Sequence, residues 1–581
     1  MFFDELDTEA GGYAESTPRI SHIDGLGRLY RVERFLESGG TAITHEVFYD
    51  DFGNIKGYRD PAGHERLQIY DRLGRLLRVS DPDFGMESYI YNANGDQISS
   101  TDARGMSTVF EADAQGRPIA RYEEGNREET LIQYFYDFPR ECPVSKCTST
   151  GDQMVEVHYP LGELGTGKTW FGYNGRNTGL YVAKQIGTAL FETQSEVNNV
   201  EEVTADTFPG GQRIEYTYRG DGKLSGIPGY IDEVSFDERG QTTSVSYHNG
   251  VVENYTFDSR DHLTRINANA ASGSAFVDQT ITRDRKGNVT EVLDAIDSGR
   301  FGHSAQYSFD ALYRLKTAEL GSAQSTESLI YEYDTIDNIV SKVSNDTNSP
   351  AHVGAYTYSE TQPHAVVTAG DTDYLYDDSG YMVSRGEQAY DWNYRGLLSE
   401  IRNNEGELIG RNYYGEQGKR VVKEENGSVS YYVSSKYEVR DGVGIIYVQI
   451  GKQRLAVKIE QNARVDTLSD LAPFSSDGSV LSPNGDGVIT AGDAYASHLI
   501  NGSVLSIGDD VEVSAVKTLL NSSARRLLAL EASAQDKVSY YHYDHIMNNI
   551  AVTDEAGEVA HQYSYYPFLT LKDSTGGASE D

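Results

Sequence analysis

One spacing constrains this chain more than any other feature. An Asp or Asn followed three places later by Gly recurs every 21 positions: Asp50 and Gly53, Asp71 and Gly74, Asn92 and Gly95, Asp113 and Gly116. A second series lies between the first, with Asp60 and Gly63, Asp102 and Gly105, and Asp81 with Gly85 one place longer. An Asp or Asn side chain at the first corner of a reverse turn bonds the backbone ahead of it, and a Gly at the fourth corner accepts positive φ. The short segments between the turns, such as Gln68-Ile69-Tyr70 and Arg75-Leu76-Leu77-Arg78-Val79, have strand length and strand composition. Two strands and two turns per unit make a long antiparallel ribbon. No single unit buries a core, so the ribbon has to curl back on itself. The fold class expected is all-β, a ribbon curled into a spiral shell or partial barrel.

The pattern continues, less evenly, through Asp237 and Gly240, Asp258, Asp284 and Gly287, Asp310, Asp334, Asp377 and Gly380, Asn393 and Gly396, with a late copy at Asp554 and Gly557. On this basis the 581 residues divide into an N-terminal tail (1–19), regular repeats (20–137), an irregular excursion (138–212), further repeats and following strands (213–465), a helical insertion (466–532), and a final strand pair with a flexible tail (533–581). Composition agrees: 42 Tyr and 58 Gly suit half-buried strands joined by tight turns, and 14 Pro are too few for a disordered linker protein. The formal net charge of −39 repels nucleic acid and anionic membranes, so neither is an expected partner.

The units Tyr70-Asp71-Arg72-Leu73-Gly74-Arg75-Leu76, Asp113-Ala114-Gln115-Gly116-Arg117-Pro118 and Asp24-Gly25-Leu26-Gly27-Arg28-Leu29 resemble the signature of the Rhs/YD-repeat family. Tyr540-Tyr541-His542-Tyr543-Asp544-His545 and Tyr565-Tyr566-Pro567-Phe568 resemble the segments that close its array. The resemblance implies a hollow shell which, in the bacterial toxin members, encloses a C-terminal toxin released by self-cleavage at an Asp-Pro-x-Gly-type element. This sequence departs after Phe568, and Ile546-Met547-Asn548 stands where Leu-Gly-Ser is usual. The expectation is a non-enzymatic shell or scaffold lacking the usual plug and toxin, with an encapsulated polypeptide or a completing shell chain as partner. The alternative is an extracellular recognition or adhesion module that binds glycans or surface proteins. A hydrolase hidden in residues 138–212 is the least supported reading.

Residues 466–532 hold a second motif. Counting Ser482 as position 1 of an EF-hand loop places Asn484, Asp486, the Val488 carbonyl, Thr490 and Asp493 at positions 3, 5, 7, 9 and 12, with Gly487 at 6. This resembles the loop of dockerin-type modules, and calcium is the cofactor it would take. The competing reading is a metal-free helix-capping turn rich in Asn, Gly and Asp.

Other motifs lead nowhere chemically. Gly162-Glu163-Leu164-Gly165-Thr166-Gly167-Lys168-Thr169 fits the phosphate-loop pattern, but the Gly- and aromatic-rich run after it reads as strand and turn where a helix is required. No Gly-x-Ser-x-Gly or His-Glu-x-x-His occurs, and no catalytic residue is assigned; His542 and His545 are read as strand residues. Cys142 and Cys147 leave a local disulfide and two free thiols equally open. The N-terminal residues lack a basic, apolar signal pattern, and no apolar run reaches membrane-spanning length. The expected location is extracellular or cell-surface by a signal-independent route, and cytoplasmic before export.

Overall fold

A computed structural model describes residues 14–140, 151–176, 178–296, 304–322, 325–460, 537–567 and 571–574. The architecture is the expected antiparallel ribbon. Seventeen strands from Ile20 to Glu215 form one sheet and twenty-six from Ile231 to Ser574 another, with a two-stranded pair, Thr217–Tyr218 and Leu224–Gly226, between them. Each strand pairs antiparallel with its neighbour in sequence, as in Ile43–Tyr49 with Ile55–Arg59 and Glu65–Tyr70 with Leu76–Asp81. Residues 138–212 contribute longer strands to the first sheet, among them Thr166–Tyr173, Gly179–Ile186 and Ala189–Val197. Gln453–Glu460 pairs directly with Lys537–Tyr543, so the ribbon is continuous across the two. The helical insertion expected at 466–532 lies outside the described residues.

The first-series hairpins share one geometry. The Gly53 N–H donates to the Asp50 carbonyl at 3.1 Å, and the Asp50 N–H donates to the Asn54 carbonyl at 2.9 Å. Gly53 has φ 91°, and the strand register slips between Phe48 and Tyr49. This is a type I turn closed by a bulge, which adds the right-handed twist a curling ribbon needs. The same slip recurs beside Tyr70, Tyr91, Tyr333, Tyr543 and Tyr565.

The main core joins distant stretches of ribbon. Ile132, Val157, Tyr159 and Phe191 from the first sheet pack in one buried cluster with Ile231, Tyr247 and Ile266, and with Val422, Tyr437 and Tyr540. One face of the ribbon is therefore buried against another pass of the same ribbon, which no isolated hairpin could achieve.

Candidate functional site: the seam between successive passes

The recurring Asp, Arg and Tyr of the repeat do separate jobs. At Asp24, Oδ1 accepts the N–H groups of Leu26 and Arg28 at 2.9 Å each, and Oδ2 accepts Arg28 Nε at 2.8 Å. Asp71 with Arg75, Asp113 with Arg117 and Asp310 with Arg314 repeat the pairing. The backbone donor at Arg28 leads in holding the Asp24 carboxyl below its ordinary range, and that at Arg75 does the same for Asp71. Each of these arginines then lies over the Tyr that precedes the next turn: Arg28 over Tyr49, Arg75 over Tyr91, Arg117 over Tyr136 and Arg314 over Tyr333, at 4.4–5.0 Å from the ring centre. The Tyr hydroxyl donates back to the carbonyl just beyond the previous turn, Tyr49 to Leu29 and Tyr333 to Leu315, both at 2.8 Å. Burial pushes the Tyr333 hydroxyl up to about 12, against the pull of Arg314. Asp shapes the turn, Arg links Asp to the next unit, and Tyr locks successive turns together.

These turns also join one pass of the ribbon to the next. The Asp83 carboxylate accepts both the N–H of His364 at 2.9 Å and its ring Nδ1–H at 2.7 Å. Arg104 lies 3.8 Å from Asp377, donates to the Asn393 carbonyl at 3.1 Å and covers the Tyr381 ring at 4.7 Å. Arg121 and Arg395 both donate to the Glu416 carbonyl. Burial, reinforced by neighbouring Arg121, pulls the Arg395 guanidinium down to about 10. Further along, Asn249 Nδ2 donates to Thr553 Oγ1 at 3.0 Å and to the Asp554 carbonyl at 2.7 Å. The ties from Asp83, Arg104, Arg121 and Asn249 span 281, 289, 295 and 305 residues, and those joining Lys436 to Asp206 and Tyr566 to Ser349 span 230 and 217, so the length of a pass varies along the ribbon.

The polarity is the same in the ties from Asp83, Arg104 and Asn249. The earlier pass offers its second-series edge, at Asp81, Asp102 and Asn249; the later pass offers its first-series edge, at Asp377, Asn393 and Asp554. Glycines mark the closest approach. A β-carbon at Gly85 would lie 2.5 Å from the Asp378 carbonyl oxygen, one at Gly380 2.6 Å from that of Asp83, and one at Gly557 2.5 Å from that of Asn249. Glycine is required there for space as well as for its positive φ.

A polar knot is buried at the same seam. Tyr247 donates to Glu253 Oε2 at 2.9 Å, and His542 Nε2 is 3.0 Å from Thr553 Oγ1, with Nδ1 3.7 Å from Glu253 Oε2. Thr553, His542 and Glu253 outline a relay, but at 0%, 0% and 1% exposure no substrate reaches them. His542 is a packed strand residue, flanked by the rings of Tyr247 and Phe276. His545 lies in the turn after that strand, where burial lowers its pKa despite the opposing charge of Asp544.

The calcium-loop residues Ser482, Asn484, Asp486, Val488, Thr490 and Asp493, like Cys142 and Cys147, lie outside the described residues. Among the described residues no group of three or more His, Cys, Asp or Glu is placed to hold a metal ion. Lys168 and Thr169 sit within the strand Thr166–Tyr173, so the phosphate-loop pattern is not followed by a helix. The residues that sequence reasoning missed are those of the seam. Nothing local to Asp83 or Arg104 announces a partner almost three hundred positions away.

Ribbon, turn unit and seam define an all-β protein built as one long antiparallel ribbon of repeated hairpins. Comparison with known proteins agrees. Residues 49–83 match the RHS Repeat family model and residues 214–433 the Teneurin YD-shell model. The crystal structure of TcdB2-TccC3 superposes on 98% of this chain with a TM-score of 0.74 at 16% identity. The Tc holotoxin pore of Photorhabdus luminescens superposes on 96% with a TM-score of 0.73, also at 16% identity. The tRNA3(Ser)-specific nuclease WapA of Bacillus spizizenii is 24% identical over 263 residues. This chain spans 29% and 28% of those two structures and 9% of WapA. Among the described residues no helix is long and apolar enough to cross a membrane.

Proposed function

We propose that this chain is a wall section of an Rhs-type shell that encloses or presents a toxin or partner polypeptide, and that it acts by containment, with no catalysis of its own. The observation that carries the reading is the seam: successive passes meet edge to edge with one fixed polarity, the arrangement by which a ribbon becomes a continuous wall. The described strands are accounted for by that wall and its core, and the reading assigns the cargo and any self-cleaving plug no place among the described residues. The net charge of −39 suits a particle that stays soluble outside the producing cell, the location proposed for its action. Electron microscopy of the purified chain tests this. A curved wall around an open interior is expected; a compact solid particle overturns the reading.

A further inference from the structure

One pair of positive charges at the seam lacks a counter-charge. Arg121, on the strand Pro118–Glu123, donates through Nη2 to the Glu416 carbonyl, and its Nε–H is buried without a partner. Arg395, in the turn opened by Asn393, donates to the same carbonyl at 3.0 Å and to that of Gly415 at 2.9 Å. Two guanidiniums thus converge on one neutral oxygen, and neither forms an ion pair with a described residue. Carboxylates are plentiful in this chain, with 89 Asp and Glu against 50 Lys and Arg. Arg104, which makes the preceding tie, has Asp102 at 2.7 Å and Asp377 at 3.8 Å.

The surroundings do not supply the missing charge. Tyr134 and Tyr394 both feel the two guanidiniums, but burial, the leading influence on each, holds their hydroxyls above the ordinary range, so they stay neutral. The acids that act on this group are Glu416, in the turn itself, and Glu123, two residues beyond Arg121, and neither pairs with Arg121 or Arg395. More positive charge stands further along. Tyr134, Val157, Thr169 and Lys184 are successive cross-strand partners, which puts Lys184 on the same face roughly 15 Å from Tyr134. Burial lowers the Lys184 pKa, with Glu416 opposing the shift and Lys419 adding to it. Arg121, Lys184, Arg395 and Glu416 are each half-buried, so a small solute can reach them.

We propose that Arg121 and Arg395 form an oxyanion site, which takes a phosphate or carboxylate group between two guanidinium forks at the seam. A guanidinium presents paired N–H donors that match two oxygens of such a group, which a spherical chloride cannot reproduce. The bound group would give the Arg121 Nε–H the acceptor it lacks, and its negative charge would offset the repulsion between Arg121 and Arg395. Half-burial strengthens both effects, because less water screens the charges. The ligand would also strap one pass to the next, since Arg121 and Glu416 are 295 residues apart. A free phosphate-class ion and the acidic side chain of a polypeptide offer the same oxygens. The site does not depend on the shell reading, because it needs only one strand and two turns.

Calorimetric titration of the full chain tests this. Inorganic phosphate and acetate are each titrated against sodium chloride at the same ionic strength. The expected result is one saturable site per chain for at least one of the two anions. Saturation by phosphate alone marks a free phosphate-class ion as the ligand; saturation by acetate marks an acidic side chain, and a Glu-rich peptide should then compete. Arg121→Gln should weaken binding at least tenfold, because one fork is lost. Glu416→Gln keeps the carbonyl that both arginines share and removes the carboxylate that repels the ligand, so it should tighten binding about threefold or more. Strand circular dichroism checks that each variant folds, and if Arg121→Gln does not, the tightening in Glu416→Gln decides alone. No saturable binding of either anion, or affinities unchanged in both variants, as for ions held loosely over the surface, would overturn the proposal.

Discussion

The carboxylate of Asp83 grips His364 twice, through its backbone N–H and its ring, across 281 residues of chain. Burial alone would lower the imidazole pKa, but the hydrogen bond and charge of Asp83 outweigh it, and His364 is held above its ordinary 6.5. A His whose folded pKa is raised contributes stability that is complete below 6.5 and is lost as pH climbs through the folded value. The seam beside Asp83 should therefore loosen as pH rises from 6.5 through the raised folded value. Hydrogen exchange at His364 and its neighbours should speed up over that interval beyond the intrinsic pH effect. In Asp83→Asn, which keeps an acceptor but no charge, this extra acceleration should vanish.

Gly380 and Gly95 both stand at positive φ, 75° and 98°, but only Gly380 has backbone within reach of a β-carbon. Gly95→Ala should cost about 1 kcal/mol, the ordinary penalty of a left-handed Ala. Gly380→Ala adds a collision with the Asp83 carbonyl, which has no flexible side chain to move aside, and should cost at least about twice as much. Local hydrogen exchange distinguishes them: the His364 amide, bonded to Asp83, should lose protection in Gly380→Ala and keep it in Gly95→Ala.

The ribbon itself was legible because its turns are local. An Asp and a Gly three residues apart determine a hairpin without reference to anything distant, and the 21-residue interval then counts the strands. The rhythm faded after residue 237 for an equally local reason. The turns opened by Asp258, Asp310, Asp334 and Asp544 carry Asp261, Tyr313, Asp337 and Met547 where Gly is usual, and all four adopt φ between 66° and 72°. The backbone keeps the repeat where the residue type does not. The seam was not legible, because which turn meets Asp83 depends on how many strands the curl takes to come round. That is set by accumulated twist and bulges along the whole ribbon, which no short motif records.

Those four non-glycine turns make a stability prediction. Met547 has φ 69° and its side chain is 51% exposed, so it has little packing to lose. Replacing it by Gly removes a left-handed strain of about 1–2 kcal/mol and gives back about 0.4–1 kcal/mol through the freer unfolded chain. Met547→Gly should be net stabilising by roughly 0.5–1 kcal/mol, seen as slower exchange of the hairpin 543–549. Tyr313→Gly should gain less or lose, because Tyr313 packs on Ala311 and Ala14.

The loop from Ser482 to Asp493 is tested by titration of the whole chain. Its ligand spacing predicts saturable luminescence of bound terbium that calcium displaces, with Asp486→Ala and Asp493→Ala each weakening the site at least tenfold. With Ser at the first position one carboxylate fewer faces the ion, so the site should sit at the weak, extracellular end of the range, on the order of 10⁻⁴–10⁻³ M. A flat titration, identical in the wild type and both variants, would return the loop to a helix-capping turn.

The buried knot around Glu253 explains why the seam tolerates polar residues inside it. Tyr247 donates to the Glu253 carboxylate, and burial first, then that charge, holds the Tyr247 hydroxyl far above its ordinary range, so it stays a donor at any physiological pH. Tyr247→Phe removes the donor and keeps the ring, so the loss reads the hydrogen bond and not the packing. A bond to a buried charged group should be worth about 1.5–3 kcal/mol. The cost should appear in two places distant in sequence, around Val252–Phe257 and Lys537–Tyr543, because Tyr247 also touches the rings of Tyr540 and His542. Hydrogen exchange that rises at only one of these strands would mean that the two passes are not held together here.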